Sequence, residues 1–165
     1  MSRSTPAHPA LRAIAALNRR FARIPMSLPQ LLLRITVALP FWQSGLTKWD
    51  GFLQLSPAAR YLFASEFRLH LFGAQVAYPF PGATAFLAGL AEICLPLLLV
   101  LGLGTRFAAF GLLVMTGVIQ ITVPDGWLTY HLPWAAMLLP ILAYGPGRVS
   151  VDDWLARRLG DADRG

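Results

Sequence analysis

Five polar side chains fall within runs that are otherwise apolar enough to enter a membrane: Arg34, Gln43, Glu92, Gln120 and His131. A charge in hydrocarbon costs about 2.5–3.5 kcal/mol on insertion scales, so such residues face a bundle interior and find partners there. Arg34 and Glu92 are the charges nearest the middle of their runs, and their placement predicts an intramembrane ion pair. Arg34 lies about six residues, or ~9 Å, inside one boundary, and Glu92 about eleven residues, or ~16 Å, from the same boundary. Arginine is long enough to close the difference. Arg34 shares a helix face with Ala38, Phe41, Gly45 and Lys48, and Glu92 shares one with Ala85, Ala88 and Gly89. The small residues on both faces allow backbones to approach closely. Gln43, Lys48 and Gln120 are candidates to line a polar cleft. Proline adds polarity: Pro96 gives no N–H to the carbonyl of Glu92, and Pro40 and Pro140 free those of Thr36 and Ala136.

A second candidate site, His70, Asp125 and His131, gathers on the side opposite the N-terminus. Two histidines without fixed spacing fit helix caps at an interface better than a metal centre, so no metal ligands are assigned. Met115 and Met137 are read as packing residues rather than copper ligands. Cys94 is the one cysteine; it cannot form an intrachain disulfide or a CxxC pair, and its apolar run predicts a small buried residue. The sequence has no phosphate-binding glycine loop, no HExxH and no nucleophile elbow, so no catalytic residue is assigned and a self-contained hydrolase or kinase is not supported.

The elements that must position these residues follow from composition. The 165 residues are 56% hydrophobic and only 13% charged, about half the charged fraction of soluble domains. A span needs about 20 mostly apolar residues, and four segments approach this: 28–48, 82–103, 105–123 and 129–145. Short turns between the later three force antiparallel neighbours, which predicts an all-α, up-down-up-down four-helix membrane bundle. The net charge of +6 gathers at the ends of apolar runs rather than in a nucleic-acid patch. With the N-terminus cytoplasmic, that side holds ten Lys and Arg residues against Lys48, Arg60 and Arg68 on the other. Both termini are therefore expected in the cytoplasm. Trp42, Trp49, Trp127 and Trp134 would then form an aromatic belt near the outer boundary.

Residues 1–27 form a basic segment and 146–165 a cytoplasmic tail; the membrane domain covers 28–145. The apolar run from Leu28 continues through bulky Phe41 and Trp42, which predicts an uncleaved first span rather than a secretion signal. Within the basic segment, Leu11, Ile14, Leu17, Phe21 and Ile24 line one side of a helical pattern with arginines largely opposite, as in a helix lying on an anionic membrane surface. In the outer loop, 49–81, Ser56-Pro57 reads as an N-cap and first helical position, predicting a short helix over 57–65. The alternation in EFRLHLF, residues 66–72, predicts an extended or hairpin piece.

These motifs, in this order, resemble the DoxX family of small bacterial integral membrane proteins. LLLR at 31–34 with Gly45 and Lys48 in GxxK spacing is similar to the family's first helix. Glu92 stands where members carry a glutamate in the second helix. Gly102-Leu103-Gly104-Thr105-Arg106 matches its GLxTR turn, with one glycine where a bulkier residue is common. GPGRVSVD, Gly145 to Asp152, matches its close, so the likeness covers residues 28–152. The resemblance implies a multi-pass protein of the bacterial cell (inner) membrane. The family takes its name from a small subunit of a membrane thiosulfate:quinone oxidoreductase, and other members are linked to redox complexes or stress responses. The stretch YHLPWA, Tyr130 to Ala135, is similar to DoxX proteins encoded beside metal-homeostasis systems. The long outer loop departs from the compact family pattern. Three readings follow. One is a non-autonomous subunit or accessory protein of a membrane redox complex that contacts quinone, whose oxygens Arg34, Gln43 or Gln120 would hold in an apolar cleft. Another is a structural anchor recruiting a partner, and the third is a small transporter. Each expects the lipid bilayer and a protein partner or second copy as companions, and no nucleic acid.

Overall fold

The structure is a computed structural model that describes residues 9–162; Arg3 and Arg164, two of the charges that set the expected orientation, lie outside it. The chain is mostly helical. An N-terminal helix, α1 (Pro9–Phe21), is followed by a turn at Pro25 and by α2 (Ser27–Leu46). The outer segment contains α3 (Pro57–Tyr61) and a hairpin of β1 (Arg68–Leu71) and β2 (Ala74–Ala77). Then come α4 (Pro81–Leu101), α5 (Thr105–Thr122), α6 (Leu132–Tyr144) and α7 (Val151–Ala162). Of these, α4 and α5 are long and apolar enough to cross a membrane. The fourth expected span is irregular at its start: a tight turn at Pro124–Gly126 and a wide helical turn at Trp127–His131 precede α6.

α2 packs on α4, α4 on α5, α5 on α6, and α6 returns to α2. The core between them is Val37, Phe41, Leu99, Ala108, Ala109, Leu112, Leu138 and Ile141. The expected face of α2 is the buried one: Arg34, Ala38, Phe41 and Gly45, with Val37, turn inward. On α4 the buried residues are Ala85, Gly89, Glu92, Pro96 and Leu99, at steps of four and three, the spacing of one helix face. Glycine allows the closest approach. A Cβ on Gly45 would lie 3.1 Å from that of Glu92, and one on Gly89 would lie 3.3 Å from that of Lys48.

The tight turn between α4 and α5 depends on Gly102 and Gly104, with φ of 72° and 56°, a region that L side chains occupy at a cost. Gly102 N–H donates to Leu98 and Leu99 carbonyls and Leu103 N–H to Leu98, which satisfies the last carbonyls of α4. The outer segment follows its sequence signals. Ser56 Oγ accepts from Ala59 N–H at 3.1 Å, Pro57 opens α3, and helical backbone continues through a wide turn at Leu62–Glu66. EFRLHLF supplies the first strand of the hairpin, with Arg68 opposite Ala77 and Leu71 opposite Ala74. Its tip, Phe72-Gly73, has positive φ at both residues, the geometry of a two-residue hairpin turn.

The C-terminal tail contains α7. Its cap was present in the sequence: Ser150 Oγ accepts from Asp153 N–H at 3.2 Å, and Asp152 and Asp153 occupy the first turn, where negative charge suits a helix N-terminus. Cys94 is exposed on the outside of α4, not buried as its apolar surroundings predicted. Glu92 and Leu99 hold the inner face, and residue 94, two positions from Glu92, is rotated away from it.

Candidate functional site

A cavity of about 500 Å³ lies between α2, α4 and α5. Its wall is overwhelmingly apolar: Leu87, Ala88, Ala91 and Leu95 from α4, Val114, Met115, Val118 and Ile119 from α5, Phe41 from α2 and Trp134 from α6. Phe63, Phe67 and Tyr78 of the outer segment roof one end, and Phe63 stacks at 5.2 Å and 5.5 Å against the other two rings. The Tyr78 hydroxyl is hydrogen-bonded to that of Thr122 at the end of α5, tying the roof to the wall. Leu87, Val114 and Val118 line the cavity and are also exposed on the outside. Its mouth is therefore between α4 and α5, on a side surface made of apolar residues.

One charged pair enters this wall. Lys48 Nζ donates to Glu92 Oε2 at 2.5 Å and to Ser44 Oγ at 3.1 Å, and all three residues line the cavity. The lysine and glutamate side chains are 11% and 6% exposed, so this is a buried ion pair. It forms because Lys48, beyond the last turn of α2, sits against Gly89, while Gly45 lets the backbone of α2 approach Glu92 closely.

Glu92 thus pairs with Lys48, and the expected Arg34–Glu92 pair is not formed. Arg34, fully buried, sends its guanidinium to the carbonyl of Val149 and lies against Gly102. Gly102 is ten residues, or about 15 Å, along α4 from Glu92, beyond the reach of the two side chains. Arg34 belongs instead to a clamp that closes the other end of the molecule. The Asp152 carboxylate accepts from Gly104 N–H at 2.8 Å, from Thr105 N–H at 2.9 Å and from the Thr105 hydroxyl at 2.8 Å. Asp152 N–H donates to the Gly102 carbonyl at 2.8 Å. Burial alone would raise the Asp152 carboxyl. The bonds from Thr105 and Gly104, with the nearby Arg34 charge, outweigh it and hold the group below its ordinary range.

Of the three cleft candidates only Lys48 lines the cavity. Gln43 is exposed, rotated off the inward face carried by Phe41 and Gly45. Gln120 is half-buried and satisfied: its oxygen is 2.6 Å from His131 Nδ1 and its amide donates to the Pro124 carbonyl. The outer-face candidates do not form one site. His131 is buried on Gln120, His70 is an exposed residue whose Nδ1 lies 3.2 Å from the Ile121 carbonyl, and Asp125 is exposed. Among the described residues, no three His, Cys, Asp or Glu side chains are grouped to hold a metal ion. Sequence reasoning missed the aromatic roof, Phe63, Phe67 and Tyr78, and the Asp152 clamp.

Apolar helices, a packed ring and a cavity opening on an apolar flank are features of a membrane protein. Residues 30–125 match the family model of DoxX, a membrane family, and cover more than half of the sequence. The chain belongs to the DoxX family. No curated protein and no solved structure matches it.

Proposed function

We propose that this chain is a multi-pass subunit of a membrane redox complex that holds a quinone between α4 and α5 for a partner protein. The carrying observation is the apolar cavity with a single charged pair in its wall and its mouth on the flank. A lipophilic ring enters from the bilayer, the apolar wall buries it, and the Lys48 ammonium donates to a ring oxygen beside the Glu92 carboxylate. Few, well-placed polar groups in an apolar pocket are how such ligands are oriented. Reduction of the ring to the quinol takes two electrons from a redox cofactor of the partner protein and two protons from water at the membrane face. In this reading α2, α4, α5 and the helical stretch ending in α6 run up, down, up and down across the cell membrane, with both termini cytoplasmic.

Quinones quench nearby tryptophans, and Trp134 is in the cavity wall. Titrating a short-chain quinone into the full chain in nanodiscs is expected to quench fluorescence saturably, and Trp134→Phe to remove most of the change. Ala91→Phe narrows the cavity while keeping both Lys48 and Glu92 and is expected to weaken binding at least tenfold. Quenching that is linear in quinone and indifferent to both changes would sink the proposal.

Topology has its own test. Reporter fusions after Arg23, Ser65, Arg106, Asp125 and Asp152 are expected to report inside, outside, inside, outside and inside. A cytoplasmic signal at Ser65 would overturn the four-span arrangement, because Ser65 lies between Phe63 and Phe67, in the segment that roofs the cavity.

A further inference from the structure

α1 takes no part in the close packing of α2, α4, α5 and α6, and its composition is one-sided. At 3.6 residues per turn, Leu11, Ile14, Leu17 and Phe21 fall within an arc of about 120°, with Arg12 and Arg19 on the opposite side. The four apolar side chains are between 52% and 60% exposed. Exposed apolar groups in such a stripe call for a cover. The charge points to which one: no Asp or Glu occurs before Asp50, while residues 9–24 carry Arg12, Arg19, Arg20 and Arg23. Position agrees. After α1 the chain turns at Pro25, where Leu28 N–H donates to the Pro25 carbonyl at 3.0 Å, and α2 starts at Ser27. α1 is therefore tethered within a few residues of the start of α2.

We propose that α1 docks on an anionic phospholipid surface, its leucine and phenylalanine face in the acyl boundary and its arginines among the headgroup phosphates. A helix with this moment and a basic polar face binds by buried apolar area together with attraction to anionic lipid. The inference rests on α2 entering the bilayer, which the reporter fusions test separately.

The test uses the full chain with Cys94→Ser, carrying a single new cysteine at Leu17 (Leu17→Cys) or at Ala16 (Ala16→Cys). Each is labelled with an environment-sensitive dye in nanodiscs of mixed phosphatidylglycerol and phosphatidylcholine, or of phosphatidylcholine alone. In anionic discs, lipids bearing a nitroxide on the acyl chain are expected to quench the Leu17 label several-fold more than the Ala16 label. In discs of phosphatidylcholine alone, or with Arg12, Arg19 and Arg20 changed to Glu, that difference is expected to fall by at least half. Size-exclusion profiles confirm that each variant stays folded. Equal, water-like signals at both sites in anionic discs would overturn docking on lipid. Strong Leu17 quenching that ignores lipid charge and arginine reversal would overturn the anionic preference. Protection of Leu17 from aqueous quenchers without quenching by lipid nitroxides would assign the face to protein instead.

Discussion

Glu92→Gln lowers the stability of the folded chain by about 3–5 kcal/mol, the usual cost of leaving one partner of a buried pair unmatched. The glutamine keeps the shape of the glutamate but leaves the Lys48 ammonium, 9% exposed as a residue, without its counter-charge. Lys48→Met should cost a similar amount, since the carboxylate is then the orphan. The double change, Lys48→Met with Glu92→Leu, should be more stable than either single one. It removes both desolvation penalties and fills the space with apolar atoms, an exchange that is often neutral or stabilising. Unfolding in a graded mixture of mild and denaturing detergent measures the parent, these variants and the Glu92→Leu single variant that completes the cycle. Additive losses in the double variant would show that the residues do not act as a pair. If the double variant folds well yet no longer gives saturable quinone quenching, the charges are kept for the ligand and not for the fold.

The helical faces of this protein were legible because helix period alone places residues around an axis. Arg34, Ala38, Phe41 and Gly45 turn inward as their spacing requires. Ser56-Pro57 and EFRLHLF identified the elements of the outer segment because capping and alternation are local signals. Which charge meets which was not legible, because partner choice depends on the relative heights of two helices. Lys48 stands on the same face as Arg34, and depths counted from expected span ends favour Arg34 over Lys48 as the cation for Glu92. The separation is set by contacts that only the fold shows: Gly89 under Lys48, and Gly102 against Arg34 and Ser150. The roof escaped notice for a related reason. Phe63, Phe67 and Tyr78 come from three pieces of an outer loop, and no spacing along the chain brings them together. The clamp brings together residues 104, 105 and 152, nearly fifty positions apart, although both of its strands, GLGTR and GPGRVSVD, stood out as motifs.

Asp152→Ala should be the other large loss, of about 2–4 kcal/mol. The carboxylate accepts three hydrogen bonds from Gly104 and Thr105, and bonds to charged groups contribute about 1.5–3 kcal/mol each when well buried. Half-burial and water entering the vacated space reduce that sum. The backbone N–H groups it serves open an eighteen-residue helix, where a negative charge is favoured, and the Arg34 charge loses its nearby anion. Asp152→Asn keeps one acceptor oxygen and should lose less. The pH dependence has a definite sign. Because the folded carboxyl titrates below its ordinary value of 3.8, the unfolded chain takes up the proton first. The contribution is complete above that ordinary value and is lost as pH falls through the lower folded one. Between pH 7 and pH 2.5 the parent chain should therefore lose more stability than the Asp152→Asn chain, the two curves converging at the acid end. Detergent unfolding across this range reads the difference directly. Parallel curves would mean that the carboxylate does not hold the α4–α5 turn to the tail in its charged form.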